Sequence, residues 1–371
     1  MRNRAFKWLS HACRIVLGVT FIFSGFVKTV DPWGTAIKIQ EYLSIYGLES
    51  LSGLRFGFSI WLCGAELMMG LMLLFKVRIR LISIFALASM IFFTVLTFLS
   101  ATWLPVEDCG CFGDAVKLTP WETFAKNLVL LPLSVVVWWR YRRDRIFAFS
   151  KAEEGCTVLF FSLAMGLGIY CYAHLPLIDF RPFKVGENIY EAMNAYSADP
   201  GPQAGKTVLI YRDRQTGRLH EFSLDDTEWQ DAGRWEWVDT RTEELDEPKV
   251  DPTLSEFSLR DAEGDATESL LTRPGRVYML CITDSEGLDA PCERRFRGVV
   301  ERAAAEGALA VCLTPERLRG VTYRSFAGSA AVRCYNIDAT TLKTMLRAFN
   351  GMVVLDDGTI VEKRNCRDIR P

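Results

Sequence analysis

The order of apolar and polar positions divides the chain in two. Over the first half, long apolar runs alternate with short charged clusters; over the second half, apolar positions alternate with polar ones or gather in short runs. A helix rises about 1.5 Å per residue, so a span of the bilayer core takes about 20 mostly apolar residues. Five segments read as spans, roughly from Cys13 to Phe26, from Leu54 to Phe75, from Leu81 to Leu104, from Phe124 to Trp139 and from Cys156 to Leu177. Arg14 lies near the end of the first and can snorkel to the headgroups. Pro132 bends the fourth without ending it. The first run meets no small-x-small cleavage site and passes into Phe26-Val27-Lys28, so it reads as a retained helix rather than a signal peptide.

In the second half, Lys206 to Arg212, Arg218 to Leu224 and Trp235 to Thr242 read as strands, and the acidic run from Glu243 to Asp251 as a linker. From about Leu254 the pattern turns to β/α alternation. Val277 to Ile282 is a buried strand, Cys292 to Glu306 a helix, Ala308 to Leu313 a strand and Thr340 to Phe349 a helix. A hairpin closes on Asp356-Asp357-Gly358. The two buried strands should be adjacent and parallel, joined by a right-handed crossover, with Cys281 and Cys312 in the core. The organisation expected is a four-span region over 1–150, a fifth span over 151–178, a small β-rich adaptor over 179–252 and an α/β domain over 253–371.

Charge sharpens this picture. The chain holds 43 Lys+Arg and 45 Asp+Glu, but residues 1–179 carry 17 and 12 of them, net +5, and residues 180–371 carry 26 and 33, net −7. An acidic soluble half excludes a nucleic-acid binder. Basic clusters fall at the N-terminus, at Lys76, Arg78 and Arg80, and from Arg140 to Lys151, alternating with loops that lack them. That alternation places the N-terminus in the cytoplasm and the C-terminal half outside it, in the periplasm of a bacterium whose inner membrane holds the five spans.

Candidate chemistry lies in the loop Asp108-Cys109-Gly110-Cys111-Phe112-Gly113-Asp114. Two cysteines one residue apart in an oxidising compartment seldom stay free thiols. A Cys-x-Cys disulfide closes a small, exchange-competent ring, and Gly110 supplies the backbone freedom it needs. The other readings are that each cysteine bridges elsewhere, or that both pack inertly. Glu66 lies near the middle of the second span, where an ionisable group is costly; it is read as handling protons or quinone, or as tying helices together, with Arg14 as its candidate partner. Cys171 sits near the outer end of the last span as a candidate resolving thiol. Cys292 starts a helix, as a lone reactive thiol or a structural residue. The pairing of Cys334 and Cys366 stays open. No metal site is expected, since His174 and His220 lack ligand spacing.

The cysteine loop, together with Arg14-Ile15-Val16-Leu17-Gly18, Ser24-Gly25-Phe26-Val27-Lys28, Asp31-Pro32 and Glu66, resembles the DoxX-like membrane proteins, and in particular the MauE type, over about residues 10–140. The resemblance implies a four-helix membrane bundle engaged in redox or disulfide work outside the cytoplasm, with quinone as a candidate cofactor. Residues 254–365 resemble the TlpA-like branch of the thioredoxin fold by element order. The match departs from that family where Asp289-Ala290-Pro291-Cys292 replaces a Cys-x-x-Cys. Two functions follow. One is a membrane thiol–disulfide oxidoreductase or redox relay using Cys109 and Cys111, serving a periplasmic thiol protein. The other is a non-enzymatic membrane scaffold whose thioredoxin-like domain binds a partner.

Overall fold

The computed structural model describes residues 2–103, 110–116, 118–144, 150–198, 206–214, 216–223, 229, 231, 233–243, 254, 257–283, 288–318 and 320–370. Its first half is helical: α1 (Arg2–Val30), α2 (Pro32–Ile45), α3 (Arg55–Phe75), α4 (Ile79–Thr102), α5 (Pro120–Tyr141) and α6 (Lys151–Ala173). By length and composition, four stretches of helix among the described residues can cross a membrane: Arg4–Val30, Ser50–Phe75, Ile79–Thr102 and Lys151–Ala173. Helix α5 has 22 residues but carries Glu122, Lys126 and Asn127 in its first turns.

Capping residues set several of these boundaries. Thr119 and Glu122 close a capping box ahead of α5, and Ser150 and Glu153 do the same for α6. Asp31 caps α2 through Gly34 N–H at 3.0 Å, with Pro32 in the first helical position. Helices α1 and α3 pack closely because glycines meet backbone. A Cβ at Gly25 would run into the backbone of Leu67, and one at Gly70 into that of Ile22.

The second half is strand-rich. After α7 (Ile189–Ala198), strands β1 (Lys206–Asp213), β2 (Leu219–Ser223) and β3 (Trp235–Glu243) form an antiparallel sheet in the order β2-β1-β3. Leu209, Phe222 and Trp235 fill its small core. The rest comprises β4 (Arg260–Asp261), β5 (Gly264–Asp265), α8 (Thr267–Leu271), β6 (Arg276–Ile282), α9 (Ala290–Ala305), β7 (Leu309–Thr314), β8 (Thr322–Arg324), β9 (Val332–Asn336), α10 (Ala339–Leu346), β10 (Asn350–Asp356) and β11 (Thr359–Asn365). Its sheet runs β11-β10-β6-β7-β9-β4-β5, with β8 on β9. Strands β6 and β7 are parallel neighbours, and β10 joins β6 antiparallel.

Both faces of this sheet are covered, so β6 from Val277 to Ile282 and β10 from Met352 to Leu355 are apolar at every position. Met279, Cys281, Val353 and Leu355 point to one core with Phe183 and Ile189; Tyr278, Leu280, Met352 and Val354 point to the other with Phe296 and Phe326. Cys281 and Cys312 are fully buried in these strands, where the alternation of the sequence puts them.

The strand-rich half sits against one end of the helices. Phe349 meets Trp33 edge-on at 4.7 Å and Phe56 at 5.5 Å. His174 Nδ1 lies 2.6 Å from Asp368 Oδ1, and Asn365 donates to the Ala173 carbonyl at 3.2 Å.

Candidate functional site

Helices α1 to α5 enclose a cavity of about 590 Å³, within the range that holds a drug-sized molecule. Phe21, Met90, Phe93, Leu96 and Leu130 supply apolar wall. Lys28 and Glu66 form an ion pair there, with both side chains over nine-tenths buried. Asn127 also lines the cavity and donates to the Phe93 carbonyl and to Thr97 Oγ1, each at 3.3 Å, tying α5 to α4.

The pairing corrects the expected partner of Glu66. Arg14 does not reach it; its guanidinium donates to the carbonyls of Leu73 and Leu74 at 2.5 and 2.6 Å, at the C-terminal end of α3. The Leu73 carbonyl also accepts from the Lys76 N–H that caps the helix, and a cation there meets the negative end of the helix dipole. Lys28, four residues after Ser24 in the first helix, is the residue that sequence reasoning missed. An intramembrane lysine was the available signal.

The cysteine loop lies over this cavity. Gly110, Cys111, Phe112, Gly113 and Asp114 all line it. Cys109 lies outside the described residues, and Cys111 carries a free thiol in this structure. Ser24 Oγ donates to the Cys111 carbonyl at 2.5 Å. Phe112 packs on Phe23 at 5.3 Å, with Lys126 Nζ 4.1 Å from its ring centre. Gly110 and Gly113 have φ of +60° and +52°, which a Cβ disfavours, and a Cβ at Gly113 would lie 3.2 Å from Val27. The loop is therefore anchored to α1 at several points.

A charged cluster from the strand-rich half completes the site. Arg347 follows α10 with φ of +51°, an unusual conformation for a residue with a long side chain. Its guanidinium reaches Asp31 at 3.0 Å and Asp114 of the cysteine loop at 2.6 Å. Burial works against this charge, but the two carboxylates outweigh it and hold the guanidinium above its ordinary pKa. Arg181 donates to Asp179 at 2.8 Å and to the Thr344 carbonyl. Burial and the nearby Arg347 lower its pKa. Thr340, Thr344 and both arginines line the cavity, so the soluble half contributes to its wall.

The remaining candidates fall elsewhere. Cys171 is buried in α6 and is not among the described residues that line the cavity. Cys292 is no lone thiol: it forms a disulfide with Cys366, with Cα atoms 5.7 Å apart. Cys334 faces Cys312 across β7 and β9, and both are buried.

This arrangement defines a membrane region with a cysteine loop held over a polar-floored cavity. Residues 6–140 match the family described as methylamine utilisation protein MauE. A curated relative, protein TlpB of Flavobacterium psychrophilum, is 30% identical over 134 residues, which are 35% of this chain and 36% of that protein. The chain thus spans about a third of the length of the curated relative it matches. No solved structure matches.

Proposed function

We propose that the chain is a membrane thiol–disulfide oxidoreductase, in which Cys109 and Cys111 exchange with a periplasmic thiol protein and pass electrons to an acceptor in the helical cavity. The observation that carries this reading is that Cys111 lines the same cavity as the buried Lys28–Glu66 pair. Cys111, one member of a labile pair, thereby borders a space that suits a lipid-soluble molecule. The MauE match and the name TlpB agree with redox or maturation work at a membrane.

A quinone fits this space on its chemistry. The walls are apolar, and the Lys28 ammonium, with three N–H donors and Glu66 as its partner, would hold a ring carbonyl. When bound, a quinone supplies a two-electron, two-proton acceptor. The chain's own contribution is to exclude water with Phe21, Phe93 and Leu130, to keep a proton-carrying pair at Lys28 and Glu66, and to anchor the cysteine loop through Ser24 and Arg347.

We read five spans in an inner membrane, with the N-terminus cytoplasmic and the strand-rich half periplasmic, on the alternation of basic loops. That half is read as thioredoxin-like. Its core, β11-β10-β6-β7 with α9 crossing between the parallel pair, has the strand order of that fold. Strand β9 is added beyond β7, after it in sequence and parallel to it.

A second reading, a scaffold whose soluble half only binds a partner protein, draws on one observation. Cys292 is tied to Cys366, and Asp289 stands where a leading thiol would be. The test is to replace Cys111 with Ser and look for a covalent complex through Cys109. The oxidoreductase reading expects a mixed disulfide that reductant dissolves. Repeated absence of one, with normal membrane insertion, leaves the scaffold.

A further inference from the structure

We propose that the Cys292–Cys366 disulfide is a second redox centre, which the cysteine loop oxidises; this rests on the oxidoreductase reading above. Unlike Cys281, Cys312 and Cys334, which lie within the sheet, the two bonded cysteines border a cavity of about 130 Å³ between the soluble half and the helices. Trp33 and Tyr172 line it from the membrane side, and Asp289, Arg295, Phe349 and Asn350 from the soluble side. Cys292 occupies the first turn of α9, its N–H held by the Asp289 carboxylate at 2.8 Å. A thiolate there is favoured by the positive end of a 16-residue helix. Arg295 favours it too, while the Asp289 carboxylate opposes it.

The second observation is where this cavity lies. Trp33 is two residues from Asp31, and Phe349 is two residues from Arg347. Arg347 bridges Asp31 and Asp114 of the cysteine loop. Adjacent Cα atoms are about 3.8 Å apart, so two residues of chain span at most about 7 Å on either side of the interface. The disulfide and the cysteine loop therefore flank one docking contact.

The exchange balances without a further reagent. In the reduced soluble half, the Cys292 thiolate attacks the loop disulfide at Cys111 Sγ, and Cys109 leaves as a thiolate that takes a proton. Cys366, giving up its proton, then attacks Cys292 and releases Cys111. One disulfide breaks in the loop, one forms between Cys292 and Cys366, and two electrons and two protons pass to the loop. Thiols of a periplasmic protein are the class of substrate that would reduce Cys292–Cys366 again.

Trapping of thiols in the intact membrane protein tests the relay. With Cys109→Ser/Cys111→Ser, the reduced fraction of the native Cys292–Cys366 pair should rise about tenfold or more, since its oxidant is gone. With Cys366→Ser, which keeps the loop disulfide and removes the resolving thiol, a Cys111–Cys292 linked peptide should appear by mass spectrometry and vanish with reductant. A soluble pair that stays fully oxidised in the first variant, with no linked peptide in the second, overturns the relay and makes the disulfide a staple. If in the same cells Cys109 and Cys111 of the unaltered chain still cycle with an added short-chain quinone, the oxidoreductase reading survives that result. If they never change state, the reading fails and the relay with it.

Discussion

Lys28 and Glu66 pair inside the helical region, among apolar side chains, whereas the buried positions of the eight-stranded sheet are mainly aliphatic, aromatic or cysteine. In the sheet, burial costs nothing beyond ordering the side chains, and the strands are held by apolar area and backbone pairing. In the helical region two charges are kept dry, which costs several kcal/mol per ion before their attraction repays it. A charge pair that packing does not require is retained where a protein has a use for it. The comparison therefore sets buried charge in the helices against apolar packing in the sheet, with the contact between them carried by Arg347 and the ring of Phe349.

The largest effect expected from this contrast follows from breaking the buried pair. Glu66→Gln leaves the Lys28 charge without its partner, at a cost of about 3–5 kcal/mol. The measurement is resistance of the purified protein to denaturant in mixed micelles. The double change Lys28→Met/Glu66→Leu should recover most of that loss, because two apolar groups suit the site. It should not recover reoxidation of the cysteine loop by a short-chain quinone. Full turnover in the double variant would make the pair a helix tie and remove its place in the chemistry.

Arg347→Gln comes next, because it unpairs Asp31 and Asp114 together. The carboxylates are partly exposed, so the loss is about 2 kcal/mol, felt as looser docking of the soluble half. In a Cys109→Ser background, alkylation of Cys111 by a membrane-impermeant maleimide should speed up several-fold. Arg347→Lys should fall between, since an ammonium cannot reproduce the planar fork. Unchanged alkylation in Arg347→Gln would show that docking does not govern the loop, and would erase the link between the two regions.

The sheet was legible in the sequence because its signal is local. Val277–Ile282 and the strand after it are apolar throughout, which identifies central strands, and the pairing of β6 with β7 follows from the helix between them. The hairpin of β10 and β11 was announced by Asp356-Asp357-Gly358. Other features needed contacts between distant residues. Helix α2 begins at an Asp-Pro cap signal, yet its face is not apolar enough to stand out beside true spans. Lys28 meets Glu66 only because glycines let α1 and α3 approach. The disulfide joins residues 74 apart, and Arg347 meets a carboxylate 316 residues away, separations that no periodicity encodes.

The smallest effect concerns the cluster that backs Arg347 on the soluble side. Lys363 Nζ is buried and donates to Asp179 and to the Phe183 carbonyl, both at 2.8 Å. Burial, then the Arg181 guanidinium, with Arg347 adding to them, pulls its pKa down to about 8, while Asp179 pulls the other way. The Asp179 carboxyl is held below its usual range: burial would raise it, but Arg181 and Lys363 outweigh that. The sign for Lys363 follows from its depressed pKa. Between about 8 and the ordinary 10.5 the unfolded chain binds a proton that the folded one has released, so stability rises with pH across that window. From pH 7 to pH 9 the gain from this residue alone is about 1 kcal/mol, since one pKa unit corresponds to about 1.4 kcal/mol. The opposite limb belongs to Asp179, whose pairing is lost only as pH falls through its lowered pKa. Melting of the purified protein in detergent should therefore shift upward by a few degrees between pH 7 and pH 9, and Lys363→Met should flatten that rise. A slope that survives in Lys363→Met would assign the effect to another group, and a downward slope in the unaltered protein would show that Asp179 holds Lys363 charged more strongly than burial and the arginines discharge it.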